Sequence, residues 1–150
     1  MSKSLLLNLN IMTKKNNEKP HVCQFCGTGY TRESTLLTHV CEMKRRHLAK
    51  DDKHVVLGFA AFKRYYQLSH PNAKERTYEG FCKNQFYNGF IKFGSYVSNV
   101  RPLYPQKYID YVITSGEKLD KWCSDNLYYK YVLDLIRRES AETALERSVS

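Results

Sequence analysis

Long apolar runs are what this chain most clearly lacks. The apolar stretch near its start, Leu5 to Met12, is broken by Asn8 and Asn10, and crossing a bilayer takes about 20 consecutive apolar residues. No segment approaches that length and none has the layout of a secretory leader, so a cytoplasmic setting with no membrane partner is expected. In a reducing compartment, five cysteines serve better as metal ligands or buried thiols than as disulfides. Alternating apolar and polar positions are also missing, as are internal repeats and low-complexity tracts, which leaves little room for a large sheet. There is no Gly-rich phosphate loop, no nucleophile beside a base and no paired-carboxylate motif. Asp51 and Asp52 stand in a charged link and read as solvated. Neither an enzyme nor a small-molecule substrate is expected.

Acidic residues are scarce relative to basic ones, 15 against 24, for a formal net charge of +9. The excess is uneven. Residues 1–55 carry ten Lys/Arg against five acids, residues 56–110 eight against three, and residues 111–150 six against seven. A phosphate-rich partner is therefore drawn to the first 110 residues.

What the sequence does contain is concentrated in HVCQFCGTGYTRESTLLTHVCEMKRR, His21 to Arg46. Cys23 and Cys26 form a C-x-x-C knuckle that can aim two sulfurs at one ion, and thiolates with imidazole are ligands that zinc favours. An aromatic, Tyr30, lies four residues after Cys26, Leu36 six residues further on, and His39 three after that. A redox reading of the knuckle needs a helix directly after it, whereas a Gly27–Gly29 turn follows. Tyr30 and Leu36 are too few apolar anchors to fold so small a unit. Bound metal supplies the missing stability, because structural metal-binding free energy becomes folding free energy. Thr31 and Ser34 offer oxygen acceptors for a helix start, and Glu33 places a negative charge at its positive end.

This spacing resembles the two-cysteine, two-histidine zinc finger (C2H2) over about 20 residues. The departure is the fourth ligand. In that family a second histidine follows the first by four or more residues, and here Met43 stands at the four-residue position. Cys41 is two residues on, about 200° around an unbroken helix, and can ligate only if the helix ends near His39. His47 is eight residues on, about 12 Å along the axis. His21 lies just upstream, and water is the remaining option; a water ligand would open a hydrolytic site. Cys41 is the favoured choice, giving Cys23, Cys26, His39 and Cys41 as the expected set around one zinc ion.

The resemblance also implies a use. In that family the reading positions, just before the helix and at its third and sixth residues, enter a major groove. Counted back from His39 they correspond to Arg32, Thr35 and Thr38, with Ser34 auxiliary. Arg32 can fork onto guanine; the threonines are permissive readers, so low sequence specificity is implied. Lys44, Arg45 and Arg46 follow as phosphate contacts, with a solvated helix face as the competing reading of that run. Fingers of this skeleton also resemble protein-binding fingers, which makes an adaptor for a protein partner, such as a replication or transcription factor, the alternative function.

The remainder reads as all-α. Apolar residues at three- and four-residue spacing predict helices over His54 to Leu68, about Thr77 to Val97, Pro105 to Gly116, and from Asp120 or Ser124 to about Arg147. SHPN (residues 69–72) stops the first. Cys82 and Cys123 are expected as buried thiols and Trp122 as a packing anchor. Cations and rings mix at Lys63, Arg64, Tyr65 and Tyr66 and at Lys83, Phe86, Tyr87, Lys92 and Phe93. Rings at helical spacing read first as core, and second as platforms for unpaired bases.

The expected organisation is a flexible basic arm (1–20), a variant finger with a short β-knuckle and helix (21–47), a charged helical connector (48–53) and a body of about four helices (54–150). Its expected function is zinc-dependent binding of nucleic acid, DNA ahead of RNA, with the body recruiting a protein. In overall style, and in TRESTLLTHVCEMKRRHLAKDDKHV, the chain looks like accessory proteins of large tailed bacteriophages. That resemblance implies a role in DNA transactions in the cytoplasm of an infected host.

Overall fold

The structure, a computed structural model, describes residues 18–149. The expected basic arm, with Lys14 and Lys15, lies almost wholly outside the described residues. The chain divides into two compact units, with the boundary between Leu48 and Ala49. As the sequence pattern implies, it is mainly helical with one small sheet.

The first unit opens with two strands, β1 (His21–Val22) and β2 (Gly29–Tyr30), antiparallel with His21 opposite Tyr30 and Val22 opposite Gly29. Gly27 turns the chain between them at φ +78°, a left-handed conformation that a β-carbon disfavours. Helix α1 (Glu33–Thr38) follows, then α2 (Glu42–Leu48). Among the described residues of this unit only Cys23 is fully buried. Burial of apolar surface therefore contributes little to its stability.

The second unit holds α3 (Lys53–Ser69), α4 (Tyr78–Lys83), α5 (Tyr87–Val100), α6 (Pro105–Thr114), a 3-10 turn (Leu119–Lys121) and α7 (Asp125–Val149). The local signals for several ends are present in the sequence. The Thr77 hydroxyl accepts the Gly80 N–H at 3.1 Å to cap α4, Pro105 occupies the first turn of α6, and Ser124 caps α7 through the Leu127 N–H at 3.2 Å.

Two expectations for this region need correction. Residues 49–52, at the centre of the expected helical connector, form a turn closed by Asp52 N–H donating to the Ala49 carbonyl at 3.0 Å. The expected helix over 77–97 is two helices. Asn84 adopts an extended conformation and its side-chain oxygen accepts the Phe86 N–H at 2.8 Å, an Asx turn that competes with the helical ladder.

The body core is largely aromatic: Phe62, Phe81, Phe90, Phe93, Tyr108, Trp122 and Tyr131 are buried together with Val55, Val97, Ile109, Val112 and Leu127. Ring pairs such as Phe62–Phe90 (5.5 Å, 86°) and Phe93–Trp122 (5.2 Å, 71°) meet edge to face. The Trp122 indole N–H donates to the Glu117 carbonyl at 2.9 Å. Cys82 is buried, but Cys123 is exposed, contrary to expectation. Its neighbour Trp122 takes the inward position of the turn.

Helices α3 and α5 approach at glycine. A β-carbon on Gly94 would collide with the His54 carbonyl oxygen and come within 2.6 Å of the Gly58 nitrogen, and one on Gly58 would come within 2.7 Å of the Phe90 carbonyl oxygen. These neighbours are backbone and cannot rotate away. Gly94→Ala should therefore destabilise the body by about 3 kcal/mol or more, at the upper end of overpacking costs. Gly80→Ala, whose nearest new neighbour is the Thr77 hydroxyl at 3.4 Å, should be neutral or stabilising by up to about 1 kcal/mol. Thermal unfolding followed by circular dichroism compares the two; equal melting temperatures would refute the close-approach argument.

Candidate metal centre

The site begins with the knuckle. The Gly27 N–H donates to the Cys23 carbonyl at 2.8 Å and the Cys23 N–H to the Thr28 carbonyl at 2.9 Å. This small loop turns Cys23 inward and leaves Cys26 at the surface. On the other side, α1 stops at Thr38. His39 is extended (φ −65°, ψ 128°), with its N–H donating to the Leu36 carbonyl. The helix end at His39 is what allows a ligand two residues further on to face the same point.

The residue at that position is Cys41. It sits immediately before α2, where its carbonyl accepts the Arg45 N–H at 2.9 Å and its sulfur accepts the Lys44 N–H at 3.3 Å. The sulfur thus takes the place that a serine or aspartate oxygen occupies in an ordinary helix cap. His47 and His21 lie outside the cluster. His47 packs against Phe25 with ring centroids 4.9 Å apart, and His21 belongs to β1 opposite Tyr30.

The ligand atoms of Cys23, Cys26, His39 and Cys41 all lie within 4.8 Å of one another. Cys23 Sγ is 3.9 Å from Cys41 Sγ, and Cys26 Sγ is 3.4 Å from His39 Nε2. A tetrahedral ion with bonds of about 2.3 Å to sulfur and about 2.0–2.1 Å to nitrogen has edges of about 3.8 Å between sulfurs and about 3.6 Å from sulfur to nitrogen. The Cys23–Cys41 and Cys26–His39 separations are close to those edges, within a cluster that spans up to 4.8 Å. Three thiols and one imidazole can therefore hold one metal ion, with all four positions supplied by the protein.

Outer contacts orient the ligands. The Tyr30 hydroxyl lies 2.7 Å from His39 Nδ1. With Nε2 directed at the sulfurs, Nδ1 carries the proton and donates it to the Tyr30 oxygen, which fixes the tautomer needed for ligation. The Thr28 hydroxyl, 3.3 Å from Cys26 Sγ, is the main cause that lowers the Cys26 thiol to about 6, followed by the Thr28 backbone. Burial pushes the Cys41 thiol up, opposed by the Lys44 backbone amide.

The other sequence-selected residues are spread around this centre. Arg32 is the residue before α1, as the counting from His39 requires, but neither it nor any other residue caps α1 with a side chain. The expected cap from Thr31 or Ser34 is absent because the helix starts at Glu33, between them. Arg32, Ser34, Thr35 and Thr38 are all exposed. The Thr38 hydroxyl donates back to the Ser34 and Thr35 carbonyls at 3.1 and 3.2 Å. The basic triplet is engaged locally: Lys44 Nζ donates to the His39 carbonyl at 3.1 Å, and Arg45 and Arg46 both pair with Glu42 at 3.2 and 3.1 Å. The sequence reading missed the Tyr30 hydroxyl as an outer ligand contact. Its signal was the choice of tyrosine where any aromatic would serve as an apolar anchor.

Among the described residues, no helix is long and apolar enough to cross a membrane. No protein-family model, curated protein or solved structure matches the chain.

Purified reduced protein supplied with zinc should bind about one metal per chain. Cys41→Ser should lower metal affinity by at least about 100-fold, and Tyr30→Phe by about 10- to 100-fold, whereas His47→Ala should leave it unchanged. Competition titration with a chromophoric chelator measures all three. Loss of metal in His47→Ala with retention in Cys41→Ser would refute the ligand assignment.

Proposed function

We propose that the protein is a zinc-binding accessory factor that grips nucleic acid, duplex DNA ahead of RNA, with low sequence specificity. The observation that carries this reading is the arrangement around the metal cluster. Four side chains lie close enough to hold one ion, and Arg32, Ser34 and Thr35 at the start of the helix beside them are exposed. Zinc is the ion whose bond lengths and ligand preference suit three thiolates and an imidazole. Its role is structural, because a site with four protein ligands leaves no position for a reacting water.

Arg32 supplies the one strong base contact available to this helix, a bidentate pair with guanine. Thr35 and Ser34 add permissive contacts, and Thr38 is the weakest reader since its hydroxyl is turned back to the helix. The net charge of +9 draws the chain to phosphates. Lys44, Arg45 and Arg46 contribute as a partly neutralised face, because Glu42 and the His39 carbonyl already engage them. Tyr129, Ile136 and Leu145 leave exposed apolar surface on α7, where a protein partner would be recruited.

A second reading rests on a different observation. Leu37 is 72% and Val40 63% exposed at the end of α1, apolar surface that suits a protein-binding finger. The two readings respond oppositely to salt. Duplex binding should weaken linearly in log–log form with added salt, by about 0.9 per phosphate neutralised, while binding through apolar contacts should hardly change.

A fluorescence titration of duplex DNA across salt concentrations tests the proposal. Chelation of zinc should abolish the interaction, and Arg32→Ala should weaken it by about 1–3 kcal/mol. Neutralising Lys44, Arg45 and Arg46 together should flatten the slope only partially, given their internal partners. Binding that is indifferent to both salt and chelator would refute the nucleic-acid reading. Cys23→Ser should abolish the finger fold and leave the helical signal of the body, whose buried cluster among the described residues runs from Val55 to Tyr131.

A further inference from the structure

The helical body carries a feature that the finger does not explain. Tyr65, Phe86, Phe90 and Trp122 line an open cavity of about 940 Å³. Phe90 and Trp122 are buried, but Tyr65 is 36% and Phe86 48% exposed. The rings continue one into the next: Tyr65 lies 5.2 Å from Tyr66, 5.9 Å from Trp122 and 6.1 Å from Phe90, centroid to centroid. Most rings of the body serve as core. Tyr65 and Phe86 stand apart from that role, because their faces border open space.

A second cavity, of about 400 Å³, shares Tyr66 and His70 with the first. Lys63, Lys74 and Arg76 line it, with Glu75 as its one acid. None of these three cations is ion-paired among the described residues. Lys63 Nζ lies 4.6 Å over the Phe59 ring and Arg76 4.2 Å over the Tyr66 ring, so aromatic faces hold these two and their charge is not neutralised by a carboxylate. Glu117, Lys118 and Asp120 also line the ring-lined cavity, whereas the cation-lined one contains neither carboxylate.

From this polarity we infer that the body binds unpaired nucleic acid, with a base against Tyr65 and Phe86 and its phosphate toward Lys74 and Arg76. The inference rests on the nucleic-acid reading above and gives the body a single-stranded substrate beside the finger's duplex. Every base has a π-face, so ring stacking is tolerant of sequence, and neighbouring cations track the backbone. The Glu117 and Asp120 carboxylates lining the ring cavity repel phosphate and accept hydrogen bonds from exocyclic base amines. They therefore orient the strand in the same sense as the cations. An apolar peptide would satisfy the rings but would leave Lys63, Lys74 and Arg76 without a counter-charge.

The full-length, zinc-loaded protein tests this with a labelled single strand of about twelve nucleotides and the matching duplex. Trp122 is the only tryptophan and reports from within the cavity. The single strand should quench Trp122. Phe86→Ala, a change at a half-exposed ring, should weaken single-strand binding about tenfold or more and leave duplex binding intact. Lys74→Gln with Arg76→Gln should reduce the salt slope for the single strand and preserve the core rings. Cys23→Ser should lose the duplex and retain the single strand with its quenching. Single-strand affinity unchanged in both groove variants, or lost with Cys23→Ser, would overturn the inference while the finger reading stands. Failure of both nucleic-acid forms to bind would remove both. Quenching by an aromatic peptide and not by the oligonucleotide would assign the groove to a protein and overturn the inference as well.

Discussion

Convergence of three sulfurs and one ring nitrogen is the interaction on which the first unit depends. Without it, residues 18–48 have little to hold them in one shape. Two-residue strands, a six-residue helix and a seven-residue helix are each below the length at which backbone propensity alone sustains structure. Only Cys23 among the described residues of that unit is fully buried. A metal held by four protein ligands can contribute folding free energy of about 10–16 kcal/mol, which exceeds anything the partly buried Tyr30 and Leu36 can supply. Their role is to set direction, with Tyr30 doing so through its hydroxyl on His39.

The body is stabilised by a different kind of interaction. Its core consists of edge-to-face rings and a helix crossing made possible by Gly58 and Gly94. Arg64 and Asp110 pair at 2.8 Å with about a third of each side chain exposed, an arrangement that fixes α3 against α6 more than it adds stability. Two physically independent solutions thus stand in one chain: a small unit governed by ligand chemistry, and a larger one governed by packing. Division of labour between a duplex-gripping finger and a strand-stacking body is the functional counterpart that we propose.

The expected finger was legible because its spacing is local. C-x-x-C, the glycine turn and the interval to His39 act within a few residues, so the sequence states them directly. The helix starts at Thr77 and Pro105 were readable for the same reason, since start signals act on adjacent backbone groups, while the last start was left between Asp120 and Ser124. The break at Asn84 was harder to read. The apolar stripe through Phe81, Phe86 and Phe90 keeps a helical rhythm across it, and an Asx turn leaves that rhythm nearly intact. The exposure of Cys123 was likewise hidden, because which of two neighbours in a turn faces inward depends on what Trp122 packs against.

Residue identity and spacing by themselves determined the ligand types, the basic excess and the helical character, since each follows from covalent chemistry or from periodicity along one chain. They left Cys41, His47 and His21 as competing ligands and could not separate core rings from surface rings. Tertiary structure decided both. Whether α1 continued past Thr38 depended on its surroundings, and its end at His39 brings Cys41 within 3.9 Å of Cys23. Similarly, Phe90 and Tyr65 share helical spacing with their neighbours, but only the packing of α3, α5 and the turn before α7 leaves one ring inside and the other bordering an open groove.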